Sequence, residues 1–114
     1  LCALAATIFL STLGKEGLRE MAILNVRKAH YLKSCLARIP EFEIKFGAHS
    51  FNEFVLECPR PAEEILQILK QDQIIGGYPL EQYYPELKNC LLVCATELSS
   101  QEEMDRLANN LKEM

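Results

Sequence analysis

From Gly14 to Leu32 the sequence carries one long helical pattern with more apolar surface than a single core can cover, and this sets what the chain can fold into. At 100° per residue, Leu18, Met21, Ala22, Ala29, Leu32 and Leu36 fall on one arc, with Asn25 in its middle. Ile23, Leu24 and Val26 fall well outside that arc, so a second face is partly apolar as well. A helix with one stripe covers one core. A helix with two lies between two layers or two domains.

The preceding segment sharpens the point. It reads Leu-Cys-Ala-Leu-Ala-Ala-Thr-Ile-Phe-Leu-Ser-Thr-Leu, with no charged side chain before Lys15. That density of Ala, Leu and Phe predicts a helix closed by Gly14 in a left-handed C-terminal position. It is far shorter than the roughly 20 residues that span a bilayer. It also lacks the basic start and the cleavage site of a signal peptide. Leaving Leu1, Leu4, Ile8, Phe9 and Leu10 in water forgoes about 1.5–3 kcal/mol each relative to burial. The expectation is a fragment of a longer polypeptide, cut within or just before a helix, with Leu4, Ile8 and Phe9 at a domain or subunit interface.

The 114 residues suffice for one domain with its own core. The net charge is −4 and basic residues are interleaved with acidic ones, which argues against a nucleic-acid partner. Five cysteines (Cys2, Cys35, Cys58, Cys90, Cys94) stand in mostly apolar settings, without Cys-x-x-Cys and without an accompanying His. They read as reduced, buried cysteines of a cytosolic protein, not as metal ligands or disulfides. Cys90 and Cys94 are expected on the same face of one strand.

After Pro40, Phe42-Glu-Ile-Lys-Phe46 alternates as a half-buried strand does, Gly47–Ser50 reads as a turn, and Asn52–Cys58 is the return strand of a hairpin. Pro59-Arg-Pro61 leads into a helix with Glu63 and Glu64 in its first turn and a stripe of Ile65, Ile68 and Leu69, fading near Asp72. Ile74–Tyr78 is expected as a short strand running into a glycine hinge, followed by a loop from Pro79 to Leu87. Cys90–Thr96 is apolar on both faces and therefore a central strand. A capping box at Ser99/Glu102 or Ser100/Glu103 opens the last helix, which places Met104, Leu107, Ala108 and Leu111 on the sheet. The order α-α-β-β-α-β-β-α predicts an α+β fold: a small, mostly antiparallel sheet of about four strands with helices on one face, preceded by a long helix. Residues 1–39 would form the helical connection to an absent large domain and residues 40–114 the α+β core.

Three blocks carry a family resemblance: Leu1–Ile8 through Gly14-Lys-Glu-Gly-Leu-Arg-Glu20 and Lys28-Ala-His-Tyr31; Phe51-Asn-Glu-Phe-Val55; and Ile74-Ile-Gly-Gly-Tyr78 with Tyr84-Pro-Glu-Leu87 and Leu92–Glu97. In this order they resemble the C-terminal small domain of fold-type-I pyridoxal-phosphate enzymes. More closely, they resemble the end of subunit 1 of glycine dehydrogenase (decarboxylating), the P-protein family of the glycine cleavage system. The resemblance implies an oxidoreductase that decarboxylates glycine and passes the aminomethyl group to the lipoyl arm of the H-protein. It further implies that the cofactor belongs to subunit 2, and that subunit 1 is a cofactor-free partner shaping a shared channel. The fragment itself is then expected to be inactive, with the large domain of its own chain and subunit 2 as neighbours and no membrane. A stand-alone α+β interaction or small-molecule-sensing module is the alternative, and another aminotransferase-like enzyme a third.

None of the seven lysines (15, 28, 33, 45, 70, 88, 112) has the setting that a cofactor lysine needs, so no catalytic, cofactor-binding or metal-binding residue is expected. Gly76, Gly77 and Tyr78 have two readings: backbone approaching a substrate channel, or a hinge requiring positive φ. Tyr83 and Tyr84 either line a partner surface or pack over the sheet edge. His30, beside Tyr31, reads as a surface or domain-interface histidine, and His49 as an exposed turn residue. Asn25, a buried amide in need of partners, bonds either a backbone group of the adjoining domain or the preceding turn of its own helix.

Overall fold

The computed structural model describes all residues, Leu1–Met114. Helix α1 runs from Cys2 to Leu36, followed by β1 (Glu43–Ile44), β2 (Glu53–Glu57), α2 (Ala62–Gln71), β3 (Tyr78–Pro79), a 3₁₀ turn at Pro85–Leu87, β4 (Cys90–Cys94) and α3 (Gln101–Lys112). The strands form one antiparallel sheet in the order β1-β2-β4-β3. β4 is interior, as its two-sided apolar composition requires. The predicted α+β class and element order hold.

The two expected N-terminal helices abut directly at Gly14. Its φ of 64° breaks the helix, but its ψ of −174° is extended and not left-handed helical. The chain therefore kinks and re-enters the helix at once, and no linker separates the two segments. The predicted arc buries from Asn25 onward, through Ala29, Leu32 and Leu36. Leu18, on the same arc, is exposed because the core does not extend that far.

Period-two alternation decides which side of the sheet is covered. Phe54, Leu56, Leu91 and Val93 point into the core, where they meet Leu32 and Leu36 of α1, Ile65 and Leu69 of α2, and Met104, Leu107 and Leu111 of α3. Ile39 and Phe42 join the same core, so α1 and the α+β body share one hydrophobic interior. Helices cover this face alone. Glu43, Glu57, Val55, Leu92 and Tyr78 lie on the other face, as their register shows. Cys90 and Cys94 share that face, as expected, but Cys90 is buried and Cys94 exposed. All five cysteines are free, but only Cys58 and Cys90 are buried: Cys2 lies on the uncovered start of α1 and Cys94 on the sheet face without helices, so both are exposed. Burial pushes the Cys58 thiol up to about 12, which leaves it unreactive.

Two strand assignments change. The first hairpin strand shrinks from Phe42–Phe46 to Glu43–Ile44, with one further bond from Lys45 N–H to Val55 O (3.0 Å). Phe46 and Phe51 are both 52% exposed, so nothing holds the pairing further out and residues 45–52 form the loop. The strand expected at Ile74–Tyr78 begins only at Tyr78. Ile74 N–H is taken by Leu69 O (2.9 Å) in closing α2, and Gln73 has a φ of 58°. β3 therefore includes Pro79, which an edge strand tolerates.

At the start of α3 the capping box uses Ser100 and Glu103. Glu103 N–H donates to Ser100 Oγ at 3.1 Å, and Ser100 N–H donates to Glu103 Oε2 at 2.8 Å. Ser100→Ala is expected to cost about 1 kcal/mol, read as a lower urea midpoint. The bonds from Ser100 hold the Glu103 carboxyl below its ordinary value near 4.5. A depressed folded pKa contributes stability above the unfolded value and loses it as pH falls through the folded one. The deficit of Ser100→Ala relative to the parent should therefore shrink on acidification below about pH 4.5.

Candidate functional site

The residues singled out in the sequence fall into three places. The first is the β3 turn. A Cβ on Gly76, which is buried, would run into Leu69 Cδ1 of α2, with Leu107 Cδ1 at 3.5 Å. A Cβ on Gly77, whose φ is 154°, would stand 2.6 Å from the Leu92 carbonyl oxygen of β4. Both glycines are thus required by close packing within the chain. Tyr78 emerges from the turn half exposed and stacks on Tyr83, with ring centroids 6.2 Å apart and planes at 28°. The neighbouring Tyr83 hydroxyl holds the Tyr78 phenol above its ordinary value. Tyr83 and Tyr84 are 64% and 52% exposed, so neither is packed away over the sheet edge.

The second place is the buried side of α1. Asn25, 6% exposed, donates from Nδ2 to Met21 O of the preceding turn and to Glu97 Oε2, both at 2.8 Å. The local bond is one of the two expected readings. The second partner belongs to this chain as well, so both Nδ2 bonds of Asn25 are made within it. Lys28 Nζ donates to the backbone oxygen of Glu97. One helical turn on, Tyr31 donates to Asp105 Oδ1 at 2.5 Å and accepts from Gln101 Nε2 at 3.3 Å. The bond to Asp105 holds the Tyr31 phenol above its ordinary value. Asn25, Lys28 and Tyr31 thereby clamp α1 to the β4–α3 connection and to α3. Glu97, Asp105 and Gln101 were invisible as partners, because Glu97 lies 72 residues from Asn25 and Asp105 lies 74 from Tyr31.

The third place is the uncovered surface of α1. Leu4, Ile8 and Phe9 are 59%, 58% and 51% exposed, and Ile23, Leu24 and Val26 on the second face are exposed too. The apolar N-terminal segment and the second apolar face of the helical pattern are both present and face water in this chain. His30 is exposed on the same helix, and His49 is exposed in the β1–β2 loop, as read. No helix is long and apolar enough to cross a membrane.

The chemistry that these residues can perform is limited. No three His, Cys, Asp or Glu side chains converge in an arrangement that could hold a metal ion. The residues present do not fit pyridoxal phosphate. A site for it needs a sheltered lysine, whereas Lys15, Lys45, Lys70, Lys88 and Lys112 are exposed and Lys28 and Lys33 are only half-buried on α1. Lys28 is already committed to Glu97 O and Lys45 to Glu57 Oε2 (2.7 Å).

No family profile matches the sequence. Individual relatives do. The chain is 46% identical over 113 residues to a probable glycine dehydrogenase (decarboxylating) subunit 1 of Thermomicrobium roseum, covering 99% of this chain and 25% of that protein. It is 48% identical over 109 residues to the protein of the same name from Geobacillus thermodenitrificans, covering 96% and 24%. Among solved structures, a glycine decarboxylase (P-protein) of the glycine cleavage system in inhibitor-bound form superposes with a TM-score of 0.83 at 34% identity, over 93% of this chain and 24% of that one. A sphingosine-1-phosphate lyase of Burkholderia pseudomallei superposes with a TM-score of 0.69 at 20% identity and shares the fold alone. The chain spans about a quarter of the length of the curated relatives it matches. Over almost its full length, the chain is a homologue of one quarter of glycine dehydrogenase (decarboxylating) subunit 1, folded as the matching part of a glycine decarboxylase P-protein is folded.

Proposed function

We propose that this chain is the non-catalytic C-terminal small domain of subunit 1 of a cytoplasmic, glycine-decarboxylating P-protein. The parent complex decarboxylates glycine and transfers the aminomethyl group to the lipoyl group of the H-protein. Pyridoxal phosphate belongs to subunit 2 in this reading, in keeping with a chain whose lysines are all exposed or half-exposed. The observation that carries the proposal is the exposed apolar surface of α1, at Leu4, Ile8 and Phe9 and again at Ile23 and Leu24, in a chain that aligns with a quarter of its relatives. An apolar band of this extent marks a contact surface. The large domain of the same polypeptide covers it, with residues 1–39 as the helical connection and residues 40–114 as the α+β body. The stacked Tyr78 and Tyr83, with Tyr84, would present a second surface to the channel or to subunit 2. A stand-alone sensing module is disfavoured by the same exposed helix.

The test is glycine-dependent exchange of bicarbonate into the glycine carboxyl group by the full-length parent co-expressed with subunit 2. Omitting either subunit should abolish exchange. Charging the contact surface in the parent with Ile8→Glu and Phe9→Glu together should reduce exchange at least tenfold, since two buried apolar side chains together contribute about 3–6 kcal/mol. Undiminished exchange by subunit 2 alone, or by the doubly charged parent, would remove this role from the domain.

A further inference from the structure

A groove between α1 and the β1–β2 loop lies away from the Leu4–Phe9 surface and borders the second apolar face of α1 at Val26. It offers about 400 Å³, within the range of small-ligand sites, roughly 300–1,000 Å³. α1 contributes His30, Lys33 and Ser34 to it, and the loop contributes His49 and Ser50. Its floor is apolar: Val26, Ala29, Ile44 and Phe51. Val26 and Phe51 are 44% and 52% exposed, so nothing in this chain covers that floor.

No carboxylate lines the groove, although the chain has 16 acidic residues to 12 lysines and arginines. The cause is the strand alternation. Glu43 and Glu53, the acids flanking the loop, register with Glu57 and Cys94 on the sheet face opposite Ile44 and Phe54. Lys45 goes with them and is paired to Glu57 at 2.7 Å. That pair is the only salt bridge in the chain, so Lys33, His30 and His49 have no acidic partner. The hydroxyl of Ser34 donates to His30 O at 2.8 Å, which leaves its oxygen free only to accept. Three nitrogen-bearing side chains without acidic partners thus stand over an open apolar floor. The two halves of this lining together fit a ligand with one anionic end and one apolar end.

We propose that this groove binds an amphipathic organic anion, a carboxylate or phosphate group on a short apolar body, held by Lys33, His30 and His49 with Phe51 and Val26 beneath the apolar part. The proposal does not rest on the activity of the parent enzyme. A parent that exchanges bicarbonate but has no ligand in the groove, or the reverse, separates the two.

The experiment is an NMR titration of the chain with octanoate, octyl phosphate and inorganic phosphate at fixed pH, following the ring protons of His30, His49 and Phe51. Saturable shifts of all three rings with octanoate or octyl phosphate are expected, and comparison of those two probes identifies the preferred head group. Inorganic phosphate should bind more weakly than octyl phosphate. Lys33→Ala should weaken the octyl probes about fivefold, and Lys33→Arg should retain most of the binding. Phe51→Ser should weaken the octyl probes and leave inorganic phosphate unaffected. Shifts that do not saturate, that appear only in the methyl groups of Leu4, Ile8 and Leu10, or that persist unchanged in Lys33→Ala would overturn the proposal. So would inorganic phosphate binding as tightly as octyl phosphate.

Discussion

Replacing Leu56 by alanine is expected to lower the unfolding free energy by about 3–4 kcal/mol, a large share of the roughly 5–15 kcal/mol that holds a domain of this size. Leu56 is fully buried in β2, between its cross-strand partners Ile44 and Leu91, and beneath the helices. Truncation removes its transfer free energy and leaves a cavity that the two flanking strands cannot close. Val55, one residue away, points to the other face and is only half-buried. Val55→Ala should cost no more than about 1 kcal/mol. The pair is read as urea midpoints, converted with a common slope. Equal losses at the two positions would mean that the register is wrong, since a slip of one residue exchanges the faces.

Gly77→Ala is expected to cost about 2–4 kcal/mol, from a backbone conformation that side chains rarely adopt together with a collision that cannot be relieved locally. The new Cβ would lie 2.6 Å from Leu92 O, a backbone atom of the central strand with no rotamer to change. Gly76→Ala meets the end of the Leu69 side chain instead. Leu69 is fully buried, so yielding strains the core, but by a smaller amount, about 1–2 kcal/mol. The Gly77 variant should also speed amide exchange at Leu80, whose N–H bonds Cys90 O at 3.1 Å just beyond β3. A Gly77→Ala chain as stable as the parent would show that packing against β4 is not what requires glycine there, and would return weight to approach by a ligand.

The glycine pair also illustrates how far the sequence could be read. Two adjacent glycines before a tyrosine announce a special backbone, and one of the two readings was a positive-φ hinge. Gly77 has that φ, but Gly76 is required for a different reason, the approach of Leu69 from α2. That cause is not local and no pattern in the neighbouring residues encodes it. The strand expected at Ile74–Tyr78 moved for a similar reason. Ile74 spends its N–H on the end of α2, so pairing with β4 starts only after the turn.

Elements whose signal is periodic or local were legible. Ile65 and Leu69 gave α2 its buried stripe, Ser100 and Glu103 capped α3, and the two-sided apolar run expected at Cys90–Thr96 became the interior strand Cys90–Cys94. The surplus apolar surface of α1 was legible too, because helical geometry alone assigns Leu4, Ile8, Leu24 and Val26 to their faces. Partners distant in sequence were not. Asn25 demanded a bond, yet only folding brought Glu97 to it, and only folding placed His30 and His49 on opposite walls of one groove.

The sequence by itself determined the class of the fold, the order of its elements and the presence of a helix with more apolar surface than its own core uses. These follow from side-chain periodicity and from capping and turn chemistry, which act over a few residues. The tertiary structure alone decided which end of that helix is buried, where the glycine turn joins the sheet, and that basic side chains from separate segments share a wall free of carboxylates. Those outcomes depend on contacts between residues far apart in the chain, whose positions are fixed only when the layers pack.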